Sequence, residues 1–541
     1  MKKGIGIGIE DFREIIKEDC YYFDKTNYIE ELIKDKTKIK LFTRPRRFGK
    51  TLNMSTLKYF FDIRNAEENR KLFKDLYIEK SEYFKEQGQY PTVFITMKDL
   101  KKNTWEECFF EIKVLLRELY EEFSFVQEKL SENEKVQYNK ILSKAEYGKS
   151  LKNLTNYLYR YYQKEVVVLI DEYDNPLIAA NRKGYYKEAI NFFRDFLSST
   201  LKTNLYLKTG ILTGIVQVAK EGIFSGLNNV RTYNILGDKF NTFFGLTQTE
   251  VEKALKYFEL EYEIEDVKKW YDGYTFGDKE IYNPWSILNY LSDKKLQSYW
   301  VNTSDNALIY DNLENSTIDV FNDLETLFNG KEIKKEISPF FTFEELSKFD
   351  GIWQLMVYSG YLKISEKLGN DEYSLKIPNY EIQTFFRKGF IDKFLVSENQ
   401  FNPMMRALLD GNIKEFEERL QNIFLLNTSF HNLKGEKVYH SLFLGMLIWL
   451  RDRYEVTSEG ERGHGRYDAL LTPLNKISPA FIFEFKVSKT IKGLNAKAEE
   501  ALKQIKEKKY DVGLKEKGIS KVYKIGIAFK GKNVKVKYEI A

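Results

Sequence analysis

Three short stretches hold residue types whose spacing does chemistry. The first is RPRRFGKT, residues 44–51, which ends as a phosphate-binding loop does, with Gly49-Lys50-Thr51. Arg44 stands where the pattern G-x-x-x-x-G-K-[ST] has its first glycine. In such a loop the backbone N–H groups and the helix start face an anion, Lys50 reaches the outer phosphates and Thr51 holds Mg2+. Arg46 and Arg47 add positive charge beside a triphosphate, and Phe48, Gly49 and Leu52 are counted with them as nucleotide contacts. A positive φ at Arg44 would cost about 1 kcal/mol, a tolerable strain. The second stretch is VVVLIDE, residues 166–172, in which five apolar β-formers run into Asp171 and Glu172. That is how a strand buried on both faces delivers acids at its end. Asp171 would hold Mg2+ through water and Glu172 would polarise the attacking water, with Asp174 close enough to join them. The third is AFIFEFKV, residues 480–487. Glu484 and Lys486 are two apart and so share a strand face. Asp468, sixteen residues upstream, supplies a second carboxylate. Two carboxylates can share a Mg2+ while the lysine steadies an attacking water or a phosphate. Each stretch also has a plainer reading: a basic turn, a core strand ended by solvated acids, and charges at a strand edge.

The elements around these residues have to position them. KIKLFTRPRRFGKTLNMSTLKYFFD gives an apolar strand, a turn and a helix with apolar residues at Leu52, Leu57, Phe60 and Phe61, the order that a phosphate-binding loop requires. Further strands at 90–97 and 205–215 fit a parallel sheet. Thr213, at the end of the latter, sits where a polar sensor between the acids and the γ-phosphate is expected. From about Thr247 to Trp300 the pattern is helical, capped by Thr247 or Thr249 with Glu250 and Glu252 in the first turn. WYDGYTFG and YNPWS read as aromatic turns that interrupt it. Residues 352–379 give an amphipathic helix and two alternating strands around Gly369-Asn370-Asp371, a hairpin signal, and helix plus hairpin resembles a winged helix. After Asn402-Pro403 a helical stretch leads to the third site.

Length and composition bound the whole. At 541 residues the chain exceeds a single core, and about 100–200 residues per domain implies three or four units. With 43% apolar residues, 30% charged and nine prolines it should fold throughout. Cys20 and Cys108 make neither a CxxC nor a zinc spacing, which fits a reducing cytoplasm. Glu10 and Asp11 interrupt the N-terminus before an export signal can form, and no run of about 18 apolar residues is present to span a membrane. The net charge of +5 is uneven. From Lys486 onward sixteen lysines face six acids, a local +10, which leaves −5 for the first 485 residues. A basic end is either a phosphate-binding face or a lysine-rich surface of no special use.

YYFDKT (21–26), TRPRRFGKTLNMS (43–55), LIDEYDNP (169–176), LTGIVQVAKEGIFSGLNNV (212–230), WYDGYTFG (270–277) and YNPWSILNYL (282–291) resemble the AAA-ATPase-like family of bacterial proteins that carry a C-terminal PD-(D/E)XK nuclease domain. The resemblance runs nearly the length of the chain. In that family the loop resembles RPRRFGK[ST], so Arg44 is a family trait. Gln217 departs from it, since similar sequences often carry Lys or Arg there, and slow hydrolysis or a partner's arginine would follow. GHGRYD (463–468) and ALKQIKEKKY (501–510) are similar to the nuclease domain of the family. There Gln504 and Tyr510 lie on the helix after the core sheet and support the site. Glu436 and Glu459 are candidates for an extra carboxylate, and His440 and His464 for cleft and phosphate contacts.

The expected fold is therefore α/β and multidomain: an AAA-like P-loop ATPase domain at 1–245, a helical and winged-helix-like lid at 246–399, and a restriction-endonuclease-like domain at 400–541. ATP and Mg2+ are the expected cofactors. Nucleic acid is the expected partner, DNA ahead of RNA, with a homo-oligomer as a further expectation and genome defence against mobile elements as the implied context. The rival is an ATP-switched nucleic-acid-binding or scaffold protein with a silent nuclease fold. Retention of Asp468, Glu484 and Lys486 argues against it.

Overall fold

The computed structural model describes residues 2–143, 147–217, 229–301, 318–328, 330–339, 351–386, 398–426, 439, 443–444, 446–447, 450, 453–458, 461–462, 465–475, 477–514 and 516–541. The chain divides into two compact units, Met1–Ile309 with Lys334–Glu381, and Tyr310–Ile333 with Ile382–Ala541. Among the described residues no helix is long and apolar enough to cross a membrane.

In the first unit five strands make one parallel sheet: β1 (Ile39–Thr43), β2 (Thr92–Thr96), β3 (Val166–Asp171), β4 (Leu207–Gly214) and β5 (Val230–Tyr233). Their order is β2-β3-β4-β1-β5. β3 is buried at every position, as its unbroken apolar run requires when both faces of a parallel sheet are covered. One face, with Phe42, Val167, Leu169 and Ile211, packs on helices α1 (Phe12–Lys17), α2 (Asn27–Lys34) and α3 (Lys50–Phe61). On the other face Leu201, the last residue of the helix Tyr186–Leu201, meets Gly210 of β4. β4 separates β1 from β3. RPRRFGKT and Asp171 thus leave the same carboxyl edge of the sheet, where parallel α/β sheets open their crevices.

The chain continues through the helices Gln248–Phe258 and Ile264–Tyr271, a hairpin of β6 (Tyr274–Phe276) and β7 (Lys279–Ile281), and the helix Pro284–Asp293. Thr247 and Glu250 form a capping box at the first of these. YNPWS is not an interruption. Asn283 caps the last helix by accepting from Ser286 N at 3.2 Å, and Pro284 occupies the first turn, where its missing N–H removes no bond. The helix Gly351–Ser359 precedes a second hairpin, β8 (Lys363–Lys367) and β9 (Glu372–Lys376), that turns at residues 369–371 as its sequence indicates.

In the second unit the helices Glu398–Leu409 and Ile413–Leu426 accompany a mixed sheet. The first runs through Pro403, so the helical stretch begins before that proline and not after it. The sheet holds β10 (Tyr454–Ser458), β11 (Ala469–Pro473), β12 (Ala480–Val487), β13 (Val522–Lys530) and β14 (Asn533–Ile540), in that order. β12 and β13 are parallel and the remaining pairs antiparallel. Period-2 alternation divides β12. Phe481, Phe483 and Phe485 stack with Phe443, Tyr523 and Phe529 on one face. Ala480 and Ile482 join Leu470, Ile505 and Tyr510 in the core on the other, toward the helix Leu494–Glu507. Gly526 of β13 pairs with Glu484, and a Cβ there would lie 2.5 Å from both Ala498 O and Leu502 N. Only glycine admits so close a helix.

Candidate functional site

The loop after β1 is shaped by Arg44. This residue is fully buried, and its guanidinium donates to Thr43 O at 2.8 Å, Tyr233 O at 2.7 Å and Phe240 O at 3.1 Å. Its own N–H donates to Gly214 O at 3.0 Å, so residue 44 prolongs the pairing of β1 with β4. The expected positive φ is not at Arg44. It falls on Arg47 (65°) and Gly49 (77°), because residue 44 is held in the sheet and the chain turns only beyond Pro45. Lys50 Nζ donates to Arg44 O at 3.0 Å and Pro45 O at 2.8 Å, so the loop curls around its own ammonium. Burial pushes Lys50 below the usual lysine range, opposed by the carboxylates of Glu172, Asp171 and Asp174.

Thr51 Oγ1 donates to Asp171 Oδ2 at 2.8 Å, and Thr213 Oγ1 donates to Asp171 Oδ1. The two hydroxyls clamp the carboxylate from both sides. Burial raises Asp171 above the usual carboxylate range, and these bonds pull it back. Glu172 takes a left-handed φ of 53°, and its carboxylate accepts from Asn175 Nδ2. Asp174 is fixed to the backbone, with Oδ2 accepting from Ile215 N at 2.7 Å and Val216 N at 3.0 Å. Arg46, Arg47, Gly49, Lys50, Thr51, Leu52 and Glu172 line one cleft of about 1170 Å3, counting its open mouth. Gly49 and Leu52 also border an apolar recess of about 620 Å3 with its open mouth, walled by Phe48, Phe243, Leu246 and Leu288. Phe48 turns away from the charged cleft and packs its ring on Tyr274 and Phe276, at 5.0 and 5.2 Å. Asp171 and Thr213 are both buried, and neither is among the cleft's lining residues.

In the second unit the register of β11 with β12 ends at Ala469 opposite Phe483, and Asp468 is the bend residue just before β11. Asp468 Oδ2 accepts from Phe485 N at 2.6 Å, and Lys486 Nζ donates to Glu484 Oε1 at 2.9 Å. Glu484 is 2% exposed. Gln504 Nε2 donates to Tyr510 OH at 3.3 Å, which in turn donates to Arg466 O at 2.7 Å. Burial raises the Tyr510 hydroxyl, Gln504 lowers it, Glu484 and Asp468 raise it further and Lys486 lowers it. The tyrosine thus lies within the field of all three charges. Glu436, Glu459, His440 and His464 lie outside the described residues. Among the described residues no group of three or more His, Cys, Asp or Glu is arranged to hold a metal. Each site offers hard oxygen donors, Thr51 with Asp171 and Asp468 with Glu484. That set fits Mg2+, an ion that keeps several waters and binds through one or two carboxylates.

The family model described as predicted AAA-ATPase matches residues 6–224, and that of the PD-(D/E)XK nuclease superfamily matches residues 434–539. The chain joins an AAA-ATPase-like domain to a PD-(D/E)XK nuclease-superfamily domain. It is also similar to an uncharacterized protein in the vnfD 5' region of Azotobacter chroococcum mcd 1. The two are 23% identical over 553 residues, covering 98% of this chain and 96% of that protein.

The first unit brings further residues around this cleft that the motifs do not announce. Glu10 accepts from Arg47 at 3.4 Å and from Lys98 at 2.8 Å, and the Arg47 guanidinium lies 4.4 Å over the Trp285 ring. Trp300 Nε1 donates to Arg46 O at 3.0 Å. YNPWS contains Trp285, so its aromatic signal was visible. Glu10 and Trp300 act across 37 and 254 positions of sequence and had no local signal.

Proposed function

We propose that the protein binds and hydrolyses ATP in an N-terminal domain at 1–245 and couples this, through a lid at 246–399, to a Mg2+-dependent phosphodiesterase at 400–541. In the cleft, Lys50, Arg46 and Arg47 bind the phosphates, and the adjoining apolar recess takes the base. Thr51 and Asp171 would hold Mg2+, with Thr213 positioning Asp171, and Glu172 accepts the proton of the attacking water. Asp468 and Glu484 would hold the second ion. When bound, such an ion lowers the pKa of a water and offsets phosphate charge. Lys486, tied to Glu484, orients the attacking water or the phosphate, and Tyr510 with Gln504 braces the face. The substrate is nucleic acid, DNA ahead of RNA, held by the lysine excess after Glu484, where counterion release contributes much of the affinity. A cytoplasmic homo-oligomer in defence against mobile elements is the context that this reading favours.

The observation that supports it most is that Asp468 Oδ2 accepts from the N–H of Phe485, the residue between Glu484 and Lys486, whose own side chains are joined by an ion pair. Full-length protein is incubated with Mg2+ or Mn2+ and linear or circular DNA, wild type against Asp468→Ala. The reading requires cleavage by the wild type that the variant loses. Equal cleavage by both removes the site, and tight binding without cleavage in either points to the scaffold. For the other half, Lys50→Ala should abolish phosphate release from ATP, and unchanged turnover would show that the loop does not act on nucleotide.

A further inference from the structure

A second cavity of the first unit opens at the opposite edge of the parallel sheet, where β1, β3 and β4 begin. It encloses about 1030 Å3 with its mouth and shares no lining residue with the nucleotide cleft. Its inner wall is the side chain of Lys40, 3% exposed in the second position of β1, where its neighbours on that face are Phe42 and Ile211. A buried ammonium needs a counter-charge, and the one at hand is already engaged. Asp35 Oδ1 stands 4.0 Å from Lys40 Nζ and accepts from Thr37 N at 2.8 Å, while Asp35 Oδ2 accepts from Tyr233 OH at 2.5 Å and from Lys239. The described hydrogen bond of Lys40 goes to a neutral group, Thr37 O, which uses one of its three donors. Two neighbours repeat the pattern: Lys36 donates to Ile33 O at 3.2 Å and Lys38 to Asn204 O at 3.4 Å. Lys208, at the rim, stands 3.9 Å from Glu165 and 5.1 Å over the Tyr90 ring. Burial pushes Lys40 down to about 8, against the opposing pull of the Asp35 carboxylate.

The geometry points to a binding site here for a small organic anion, its acidic head on Lys40 and Lys38 and its flat apolar body against Phe61, Ile211 and Tyr90. Four lysines and three carboxylates, Asp35, Glu86 and Glu165, share the lining with apolar side chains, so the excess charge at the site is positive. Position separates this site from the nucleotide: it lies at the foot of β1, while the phosphate-binding loop leaves the head of the same strand.

The test uses 8-anilinonaphthalene-1-sulfonate, which joins one sulfonate to an apolar body, titrated by fluorescence into the full-length protein with saturating ATP and Mg2+ already present. One dye per chain is expected, displaced by sodium benzoate and not by benzyl alcohol. Lys40→Met should weaken the dye at least 10-fold. Lys208→Ala, at a rim position 45% exposed where folding is not at stake, should weaken it about 3-fold. Should Lys40→Met fail to fold, the rim variant and the benzoate competition decide the question alone. Dye binding unchanged in Lys208→Ala, displacement by benzyl alcohol as good as by benzoate, or no saturable dye with ATP present would each overturn the assignment.

Discussion

Replacing Arg44 by glycine restores the usual phosphate-loop pattern and should nevertheless damage the protein. The guanidinium is fully buried and serves three carbonyls, at 2.7, 2.8 and 3.1 Å. Each buried carbonyl left unpaired costs about 1–3 kcal/mol, and the low end for three gives about 3 kcal/mol. The freedom that glycine gains on unfolding adds about 0.5–1 kcal/mol. Nothing offsets these losses, since the positive φ belongs to Arg47 and Gly49 and the residue-44 N–H is spent on Gly214 O. The total is about 4 kcal/mol. At about 2 °C per kcal/mol for a unit this large, the melting temperature should fall by about 8 °C. Lys50 should lose affinity for nucleotide as well, because its ammonium is seated on Arg44 O and Pro45 O. Calorimetry with and without ATP measures both effects. Arg44→Lys, which keeps the charge and loses the planar fork, should fall between the two. An Arg44→Gly protein that melts at or above the wild type and binds nucleotide equally well refutes the reasoning.

Two further outcomes are expected. Glu381 is fully buried, accepts from Ser286 Oγ, Tyr299 N and Trp300 N at 2.5–2.7 Å, and is raised by burial to about 7 from 4.5. A raised carboxylate keeps its proton longer in the fold than in the unfolded chain. Its contribution is therefore complete below about pH 4.5 and is lost as pH rises to about 7, a change of about 3 kcal/mol. Glu381→Gln should flatten that slope in urea unfolding at pH 5 and 7.5, and an unaltered slope would contradict it. Gly526→Ala sets a Cβ 2.5 Å from two backbone atoms of the helix Leu494–Glu507. It should cost about 1–3 kcal/mol in thermal unfolding and slow cleavage, because that helix carries Gln504.

Much of this was legible because it is local. The apolar runs of β1 and β3, the Gly-Lys-Thr turn and the two-residue spacing of Glu484 and Lys486 are short-range patterns, and each lies in the element that its period indicates. How close Asp468 comes to Glu484 depends on strand register, which the sequence leaves open; with Ala469 opposite Phe483, Asp468 meets the Phe485 N–H. Arg44 was misjudged because its three acceptors include carbonyls 189 and 196 positions away, invisible to a rule about turn glycines. The aromatic residues of YNPWS suggest a turn, but its Asn-Pro pair is a helix-start signal and the helix Pro284–Asp293 begins there. Glu10, Trp300 and Glu381 act only through tertiary contacts.

A divalent ion shared by Asp468 and Glu484 beside Lys486 is what the proposed phosphodiesterase requires. Electron paramagnetic resonance of Mn2+ titrated into the full-length protein without nucleotide measures it directly, wild type against Asp468→Asn and Glu484→Gln. The account predicts a bound ion that each substitution weakens at least 10-fold while the Lys50→Ala protein retains it. Equal Mn2+ affinity in the wild type and both carboxylate variants would contradict it.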